Sequence, residues 1–297
     1  MTRILDGSSI ASTLEHSVAS RVSACRARGV HPTLVILLFG DDAPSRVYGG
    51  MIRRGAERVG IDVRVLVNTG SVSFAEASTI VRELNSNSDV HGILIKRPLP
   101  GALADEAVLQ RIDPAKDVDG CHFENVGRLV IGGAKRAPVP CTPAGVLALL
   151  ERSSLSTEGQ HVVVLGRSTT VGRPLANLLA QKESGANATV TLCHTATREL
   201  ERHTRAADIL VSAIGRPRFV TRSMVAPHAV VVDVGTNVVP DAAAPKGYRL
   251  VGDCDYDALV GHCAAITPVP GGVGPVTVAM LLSNVVDAAE RVSGTSA

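Results

Sequence analysis

The stretch that decides the fold is His161-Val-Val-Val-Leu-Gly-Arg-Ser-Thr-Thr-Val-Gly-Arg-Pro174. Four apolar residues, Val162 to Leu165, have the length of a buried parallel strand, which Gly166 ends. A helix with three leucines on one face is predicted from Val171 to Gln181. A glycine turn between a strand and a helix start gathers backbone N–H groups at one point, where the helix dipole also favours negative charge. The stretch therefore predicts an anion-binding turn in an α/β domain.

This turn is a degenerate form of the dinucleotide-binding fingerprint. Ser168 stands where the usual G-x-G-x-x-G pattern has its second glycine, between Gly166 and Gly172. No lysine followed by serine or threonine comes after the last glycine, so the stretch is not a P-loop. A buried strand–helix unit that binds nothing would give the same pattern. Taken alone, the stretch leaves both interpretations open.

The composition is that of a globular protein without nucleic-acid-binding features. The chain of 297 residues, 45% hydrophobic and 20% charged, is long enough for two domains or one large α/β domain. Its net charge of +2 comes from basic and acidic residues interspersed along the chain. Aromatic residues make up 2%, too few for base-stacking surfaces. We therefore predict no nucleic-acid partner.

The cysteines and the apolar segments indicate the compartment. The six cysteines are Cys25, Cys121, Cys141, Cys193, Cys254 and Cys263. They form no C-x-x-C pair and have no histidine at zinc-site spacing, which predicts reduced thiols and no metal centre. The N-terminus lacks the apolar segment of a signal peptide, and no apolar run approaches the ~20 residues of a membrane span. We predict a cytoplasmic protein with no membrane partner.

Helices and strands alternate along the chain. The predicted elements of the first half are a helix ending at Gly29, a strand Thr33 to Phe39, a helix Ser45 to Val59, a strand Val63 to Val67, a helix opened by the capping box Ser73-Phe-Ala-Glu76, a strand Val90 to Ile95 and a helix Asp105 to Arg111. Those of the second half are a helix to Arg152, strands at Val162, Val190, Ile209 and Val230, and a closing helix from Val276 to about Glu290. Ser45 and Thr142 are predicted helix N-caps, the latter followed by a proline at the first helical position. The alternation predicts two α/β halves with parallel strands, divided near Pro138 to Pro143.

The segment before the closing helix is rich in residues that restrict the backbone. Ile266-Thr-Pro-Val-Pro-Gly-Gly-Val-Gly-Pro275 contains three glycines and three prolines. It also places backbone N–H groups at a helix start. The sequence therefore predicts a second wall of a binding site here.

With these segments identified, the chain resembles the methylenetetrahydrofolate dehydrogenase/methenyltetrahydrofolate cyclohydrolase family over nearly its whole length. The matching stretches, in family order, are Ser45-x-x-Tyr48, Gly92-Ile-Leu-Ile-x-x-Pro-Leu-Pro100, Lys116-Asp-Val-Asp-Gly120, Pro140-Cys-Thr-Pro143, Gly166-Arg-Ser-x-x-Val-Gly-x-Pro174, Asp233-Val-Gly235, Val251-Gly-Asp253 and Thr267-Pro-Val-Pro-Gly-Gly-Val-Gly-Pro275. The last stretch is specific enough to carry the resemblance by itself.

The resemblance implies a fold and a reaction. It implies two α/β domains with a cleft, the C-terminal one a Rossmann-type parallel sheet. On this basis we assign residues 1–140 plus 276–297 to a folate-binding catalytic domain and residues 141–275 to an NADP-binding domain. The implied reaction is oxidation of 5,10-methylenetetrahydrofolate to 5,10-methenyltetrahydrofolate by hydride transfer, in a multifunctional enzyme that also hydrolyses the product. The implied partners are a tetrahydrofolate derivative and a second copy of the chain, in a homodimer.

The resemblance also implies site residues. The substrate residues would be Tyr48, Asp119, Pro270, Gly271, Gly272 and Thr277. Tyr48 suits stacking on the ligand, and the two oxygens of Asp119 match adjacent ring N–H donors. Tyr48 and Asp119 are also predicted to be catalytic. Competing interpretations are a core tyrosine at Tyr48 and turn chemistry at Asp119, although Asp117 fits the turn better.

The predicted cofactor is NADP. An NAD site would place an acidic residue at the end of the second strand to hold the ribose 2′-hydroxyl, whereas Cys193-His-Thr-Ala-Thr-Arg198 contains none. In the family, the positions of Arg167 and Thr195 face the adenosine phosphate, and an arginine fork suits a phosphate dianion. The predicted cofactor residues are Gly166, Arg167, Ser168, Val171, Gly172, Thr195 and Gly235.

Two departures from the family pattern fall in the predicted catalytic site. The family's catalytic lysine follows the helix tyrosine by four residues, and here that position is Ile52. The family's strand-end glutamine is Lys96. We expect the cyclohydrolase step to be much reduced, since Ile52 cannot transfer a proton. The alternative is a fully bifunctional enzyme in which Lys96 is a relocated base.

Other functions are compatible with parts of the pattern. A folate-binding paralogue without turnover would gain nothing from an intact cofactor turn. A shikimate-type NADP reductase would not explain the Pro-Gly-Gly-Val-Gly-Pro run or Lys116-Asp-Val-Asp-Gly120. His122, His194 and His262 have no partner at metal or triad spacing, which favours structural roles.

Overall fold

The computed structural model describes residues 1–40, 43–68, 72–97, 99, 103, 105–132, 137–245 and 247–294, without the side chains of residues 43–48, 105 and 106. The chain forms two compact units, each built from two segments. Unit 1 comprises Met1–Ala11 and Thr142–Thr277, and unit 2 comprises Ser12–Cys141 and Val278–Ala297.

The secondary structure follows the predicted alternation. The strands are β1 (Arg3–Ile4), β2 (Thr33–Phe39), β3 (Asp62–Asn68), β4 (Gly92–Ile95), β5 (His161–Leu165), β6 (Thr189–Cys193), β7 (Ile209–Ser212), β8 (Val230–Asp233), β9 (Asn237–Pro240), β10 (Tyr248–Val251) and β11 (Ala265–Ile266). The helices are α1 (Gly7–Ala27), α2 (Ala43–Val59), α3 (Phe74–Ser86), α4 (Asp105–Leu109), α5 (Phe123–Ile131), α6 (Cys141–Arg152), α7 (Gly172–Leu179), α8 (Leu200–Arg205), α9 (Tyr256–Leu259) and α10 (Val273–Val292), with a 3-10 turn at Arg222–Met224.

Unit 1 contains a parallel sheet with the strand order β1-β11-β8-β7-β5-β6. Strands β7 and β8 are buried along their whole length, as expected of a parallel sheet covered on both faces. The chain runs from β5 to β6 on one side and then returns to β7 on the other side of β5. This reversal opens a crevice at the carboxyl ends of β5 and β7, where doubly wound sheets bind ligands. The predicted Rossmann-type parallel sheet is confirmed.

The assignment of residues 1–140 to one domain differs from the observed division at the N-terminus. Met1–Ala11 belongs to unit 1, because β1 pairs in parallel with β11 through Arg3–Ala265 and Ile4–Ile266. A strand of two residues is too short to show a periodic pattern, so this pairing could not be predicted from the sequence. At the other junctions the units change at Thr142 and at Val278, within two residues of the assigned boundaries.

Unit 2 is organised around β2, the middle strand of a parallel sheet with the order β3-β2-β4. Leu34, Ile36 and Leu38 belong to one hydrophobic cluster, while Val35, Leu37 and Phe39 belong to another. Alternate residues of a strand point to opposite faces, so β2 supplies both cores and is buried throughout. The first core also contains six residues of α10, and their packing fixes that helix in unit 2 from Val278 onward.

Several helix starts differ from the predictions. The capping box of α3 is present, with the Ser73 hydroxyl 3.3 Å from the Glu76 amide and the Glu76 carboxylate 2.8 Å from the Ser73 amide. Ser45 is not an N-cap, because α2 begins at Ala43. Thr142 is likewise inside α6, which begins at Cys141. The closing helix α10 begins at Val273, three residues before the predicted start. Helices α2 and α6 thus begin N-terminally to their predicted cap residues, and α10 begins N-terminally to its predicted first residue.

The expectation that no segment is long and apolar enough to span a membrane is wrong for α10. This helix has 20 residues and a mean hydropathy of 1.2 in its most apolar window. Within the protein, however, 67% of that window is buried. Its apolar side chains pack in the hydrophobic core, and a buried helix of this kind is weak evidence for a membrane span.

Candidate functional site

Unit 1 has a cavity of about 440 Å³ at the carboxyl ends of β5, β6 and β7. It is lined by Leu165, Gly166, Arg167, Ser168, Cys193, His194, Thr195, Thr197, Leu200, Ala213, Ile214, Arg216 and Phe219. Four of the predicted cofactor residues therefore meet in one place, namely Gly166, Arg167, Ser168 and Thr195. Parallel strands bring their carboxyl ends to the same edge of a sheet, and this explains the convergence.

The glycine turn after β5 needs both of its glycines. Gly166 has a φ of +107°, and a Cβ there would lie 2.2 Å from the Ala213 carbonyl oxygen. A Cβ on Gly172 would lie 1.9 Å from the Gly166 carbonyl oxygen. The first glycine thus permits the tight turn, and the last permits close packing of α7 on the turn. These are the two structural roles of the outer glycines in a dinucleotide-binding turn.

Ser168 stands at the place of the middle glycine, and its side chain forms hydrogen bonds with the backbone at the start of α7. Its hydroxyl oxygen accepts hydrogen bonds from the Val171 amide at 3.1 Å and from the Gly172 amide at 3.3 Å. Two of the N–H groups expected to be free for an anion are therefore already bonded within the chain. The hydroxyl orders the turn, and neither Val171 nor Gly172 lines the cavity. Their cofactor roles stay predictions.

The cavity surface fits a phosphate rather than a ribose diol. Arg167 and Thr195 are exposed and line the cavity, and no aspartate or glutamate is among its lining residues. His194, which also lines the cavity, accepts a hydrogen bond on Nδ1 from the Ala196 amide at 3.2 Å. Its ring is thus held by the backbone of its own loop. An arginine and a hydroxyl among the lining residues, with no lining carboxylate, favour an anionic group in this cavity.

Arg216 is a cavity residue that the sequence interpretation missed. Its guanidinium lies 4.4 Å from the centre of the Phe219 ring, and both residues line the cavity. The Arg216 backbone amide donates to Asp253 Oδ1 at 2.9 Å, so the loop after β7 is anchored to a buried carboxylate. The sequence could have indicated Arg216 by its position after a predicted strand, since residues just past a central parallel strand face the ligand crevice.

Gly235 does not line this cavity. Its amide donates to Asp233 Oδ1 at 2.9 Å, and a Cβ on it would lie 2.2 Å from Asp253 Cγ. Burial raises the pKa of Asp233 to about 6, although backbone amides of Cys254, Asp253 and Gly235 donate to it and oppose the rise. The Asp233-Val-Gly235 and Val251-Gly-Asp253 motifs therefore meet in a buried structural network. The glycine is needed because the Asp253 carboxylate packs against its backbone.

The predicted substrate residues of the last motif lie at the entry of α10 in unit 1. Pro270 is exposed, Gly271 is half-buried and Gly272 is buried. The Gly271 carbonyl accepts from the Ser8 amide at 3.1 Å, which fixes this loop against the start of α1. The hydroxyl of Thr277 donates to the Val273 carbonyl at 3.1 Å, within its own helix. The substrate roles of these residues stay predictions.

In unit 2, the position at which the resemblance implies a catalytic lysine carries no ionisable group. Ile52 is 0% exposed and belongs to the core cluster that contains β2 and α10. Lys96 follows β4, where its amide donates to the Leu37 carbonyl at 3.0 Å. The Lys96 ammonium donates to the Arg97 carbonyl at 2.7 Å and is half-buried. The side chain of Tyr48 lies outside the described residues.

Asp119 is held by a cation that the sequence interpretation also missed. Arg97 Nη2 lies 3.2 Å from Asp119 Oδ2 and 3.3 Å from Cys121 Sγ. The Cys121 thiol lies 3.6 Å from the same carboxylate oxygen. Burial raises the pKa of Asp119, and the positive charge of Arg97 opposes that rise. Lys96 and Arg97 are consecutive in the sequence, so two cationic side chains lie just after the end of β4.

The remaining residues of the Lys116-Asp-Val-Asp-Gly120 motif are structural. The Lys116 ammonium donates to the carbonyls of Asn85 and Asn87, both at 2.7 Å, and so caps the C-terminal end of α3. Asp117 is 2% exposed and accepts from the His122 amide at 2.7 Å and from Asn125 Nδ2 at 2.9 Å. Asp117 therefore makes the hydrogen bonds of the turn, as expected. Asp119 is not needed for the turn.

His122 and His262 contact nearby backbone groups, and the cysteines are free thiols. His122 accepts from the Glu124 amide at 3.1 Å and caps α5, and His262 Nε2 lies 2.8 Å from the Val225 carbonyl. All six cysteines are free thiols, five of them buried. Within the described part of the chain, no group of three histidine, cysteine or acidic side chains could hold a metal ion.

A parallel sheet whose strand order reverses at β5, with a cavity and a glycine turn at that edge, defines a dinucleotide-binding α/β protein. Residues 5–119 match the catalytic domain of tetrahydrofolate dehydrogenase/cyclohydrolase, and residues 140–293 match the NAD(P)-binding domain of the same family. The chain belongs to the tetrahydrofolate dehydrogenase/cyclohydrolase family.

Relatives are similar over their full length. The bifunctional protein FolD of Halobacterium salinarum is 48% identical over 297 residues, covering 99% of this chain and 98% of its own. That of Chlorobium phaeobacteroides is 45% identical over 290 residues, covering 97% of each chain. The Campylobacter jejuni FolD structure has a TM-score of 0.91 at 35% identity and covers 98% of this chain and 99% of its own. The Trypanosoma brucei enzyme, solved with NADP and an inhibitor, has a TM-score of 0.91 at 37% identity, with 98% of each chain covered.

Proposed function

We propose that this protein oxidises 5,10-methylenetetrahydrofolate to 5,10-methenyltetrahydrofolate with NADP. The observation that carries the proposal is the unit 1 cavity, where Arg167 and Thr195 stand at the strand ends without a lining carboxylate. Family membership and the NADP complex of the Trypanosoma brucei relative support the same assignment. Unit 2 supplies the folate site, with Asp119 as the partner of the pterin N–H donors.

The residues of the two units would act mainly by orientation. When bound, NADP accepts the hydride, and the cation left on the folate carbon is stabilised by its own two nitrogen atoms. The protein must therefore hold two rings at contact distance more than it must move protons. The turn of Gly166 and Gly172 and the carboxylate of Asp119 serve this purpose. Loss of a catalytic lysine does not remove any group that hydride transfer requires.

Replacing Arg167 by alanine should weaken NADP binding more than NAD binding. The expected difference is about 1.5–3 kcal/mol, because one hydrogen bond between charged groups is lost with NADP alone. Isothermal titration with both cofactors measures it. Arg205→Ala is the matched control, since Arg205 is an exposed arginine of unit 1 outside the cavity. Equal or better turnover of the wild type with NAD at matched concentration would show the assignment to be wrong.

We also propose that the functional unit is a homodimer, formed through β3. This strand lies at the edge of the unit 2 sheet, and Val65, Leu66 and Val67 are 37%, 38% and 47% exposed. An apolar edge strand is a template for pairing with another chain.

Sedimentation velocity at micromolar concentration should give a dimer for the wild type. Leu66→Lys should give a monomer, since it places a charge at the edge. The control Val238→Lys, which changes an exposed apolar residue of unit 1, should stay dimeric. A monomeric wild type would refute the proposal.

A further inference from the structure

Arg97 and Asp119 together form a partly exposed polar edge in unit 2. Their side chains are 24% and 31% exposed, and the guanidinium lies 3.2 Å from Asp119 Oδ2. Cys121 contacts both groups, at 3.3 Å from Arg97 Nη2 and 3.6 Å from Asp119 Oδ2. The two residues lie on different elements: Arg97 follows the end of β4, and Asp119 lies in the Lys116–Gly120 loop. The edge is thus held from several sides and remains open to a ligand.

The order of hydrogen-bonding groups along this edge is acceptor, acceptor, donor. The two oxygens of Asp119 accept, and the Arg97 guanidinium beside Oδ2 only donates. A pterin ring presents the complementary order on one side: the 2-amino group donates, N3–H donates, and the C4 carbonyl oxygen accepts. A carboxylate alone would match the first two groups. The third requires a donor next to the carboxylate, where Arg97 lies.

We propose that Arg97 is a specificity-determining residue for the folate substrate and donates to the C4 carbonyl oxygen of the pterin while Asp119 accepts from the 2-amino group and N3–H. This inference rests on the proposed folate site. The guanidinium of Arg97 would recognise the C4 carbonyl oxygen. The protein would therefore discriminate against pteridines that carry a hydrogen-bond donor at C4.

The charges around Asp119 are consistent with this role. Burial raises its pKa, while Arg97 lowers it, Asp117 raises it and the Cys121 thiol lowers it. Burial and the charge of Asp119 raise the pKa of the Cys141 thiol. Arg97 is the cation of the group and helps to keep Asp119 ionised, which leaves both oxygens as acceptors.

The test compares two probes, tetrahydrofolate and its 4-amino analogue, by isothermal titration of the full-length protein in saturating NADP. Wild type should bind tetrahydrofolate more tightly. Arg97→Leu should weaken tetrahydrofolate about 10- to 100-fold, the effect of losing a hydrogen bond from a charged donor. It should leave the analogue unchanged or improve it, because the guanidinium faces a donor there. Arg97→Lys, which keeps a cationic donor, should recover part of the tetrahydrofolate affinity.

The controls separate this contact from a structural role. Arg128→Leu, which removes an exposed arginine of unit 2 paired with Glu124, should change neither affinity. Asp119→Asn should weaken tetrahydrofolate and leave NADP binding nearly intact. An equal loss for both probes in Arg97→Leu would overturn the inference while the proposed function stands. If wild type binds no tetrahydrofolate although it binds NADP, the proposed function fails, and the inference fails with it.

Discussion

Methenyltetrahydrofolate added to the purified protein is expected to decay no faster than in buffer. Hydrolysis adds water to the methenyl carbon and opens the ring, so a positioned group must accept and donate protons. Ile52, where the resemblance implies the family's lysine, is 0% exposed in an apolar core and has no such group. Loss of a general acid or base typically costs about 10²- to 10⁴-fold in rate. This is large enough to separate the two activities within one protein.

Lys96 is the competing base in this prediction. Its ammonium donates to the Arg97 carbonyl at 2.7 Å, at the end of β4. At the proposed folate site, a lysine there would approach the substrate from another direction, and about 1 Å of misplacement can cost 10²-fold in rate. We therefore expect loss of the activity rather than relocation.

Absorbance decay of methenyltetrahydrofolate, followed with and without protein, measures the activity. The paired change Ile52→Lys and Lys96→Gln should increase the decay rate, provided that its melting temperature shows a folded protein. That check matters because the new lysine replaces a fully buried side chain, and burial disfavours the charged form. NADP-dependent dehydrogenase activity of the wild type is the internal control. Rapid decay in the wild type that disappears in Lys96→Met would establish relocation instead.

Gly172→Ala should abolish tight NADP binding. The new Cβ would lie 1.9 Å from the Gly166 carbonyl oxygen and 2.6 Å from its carbonyl carbon. Both neighbours are backbone atoms of the turn, so α7 or the turn has to move. A shift of about 1 Å would cost about 10²-fold in a function that depends on the turn geometry. The free energy of unfolding should fall by about 1–3 kcal/mol, as in overpacked cores.

Gly127→Ala is the matched control for this change. Gly127 lies inside α5, and a Cβ there meets nothing within 4 Å. Alanine should stabilise the helix by up to about 1 kcal/mol and leave NADP binding unchanged. Chemical denaturation and cofactor titration of the two variants give the comparison. NADP affinity within twofold of wild type in Gly172→Ala would show that the turn does not position the cofactor.

The sequence by itself determined the elements whose signals are local. Val162 to Leu165 predicted β5 because a buried parallel strand is a short apolar run, and Gly166 marked the turn that follows it. The capping box at Ser73 was readable because its two partners are three residues apart. The family resemblance rested on ordered short motifs, and the family comparisons confirm it. The cavity residues Arg167 and Thr195 were predicted because the family resemblance places them at positions that face the cofactor, and both line the cavity.

Tertiary structure decided which distant residues meet. The first strand joins the second half of the chain because Arg3 pairs with Ala265, a partner that no local period reveals. Arg97 contacts Asp119 from 22 residues away, and Gly235 is a glycine because the Asp253 carboxylate packs against it. Ser45 has the composition of a cap, yet α2 begins before it. Hydrophobic periods and caps act within one or two turns of chain, whereas charge pairing and close packing depend on which segments the folded sheets bring side by side.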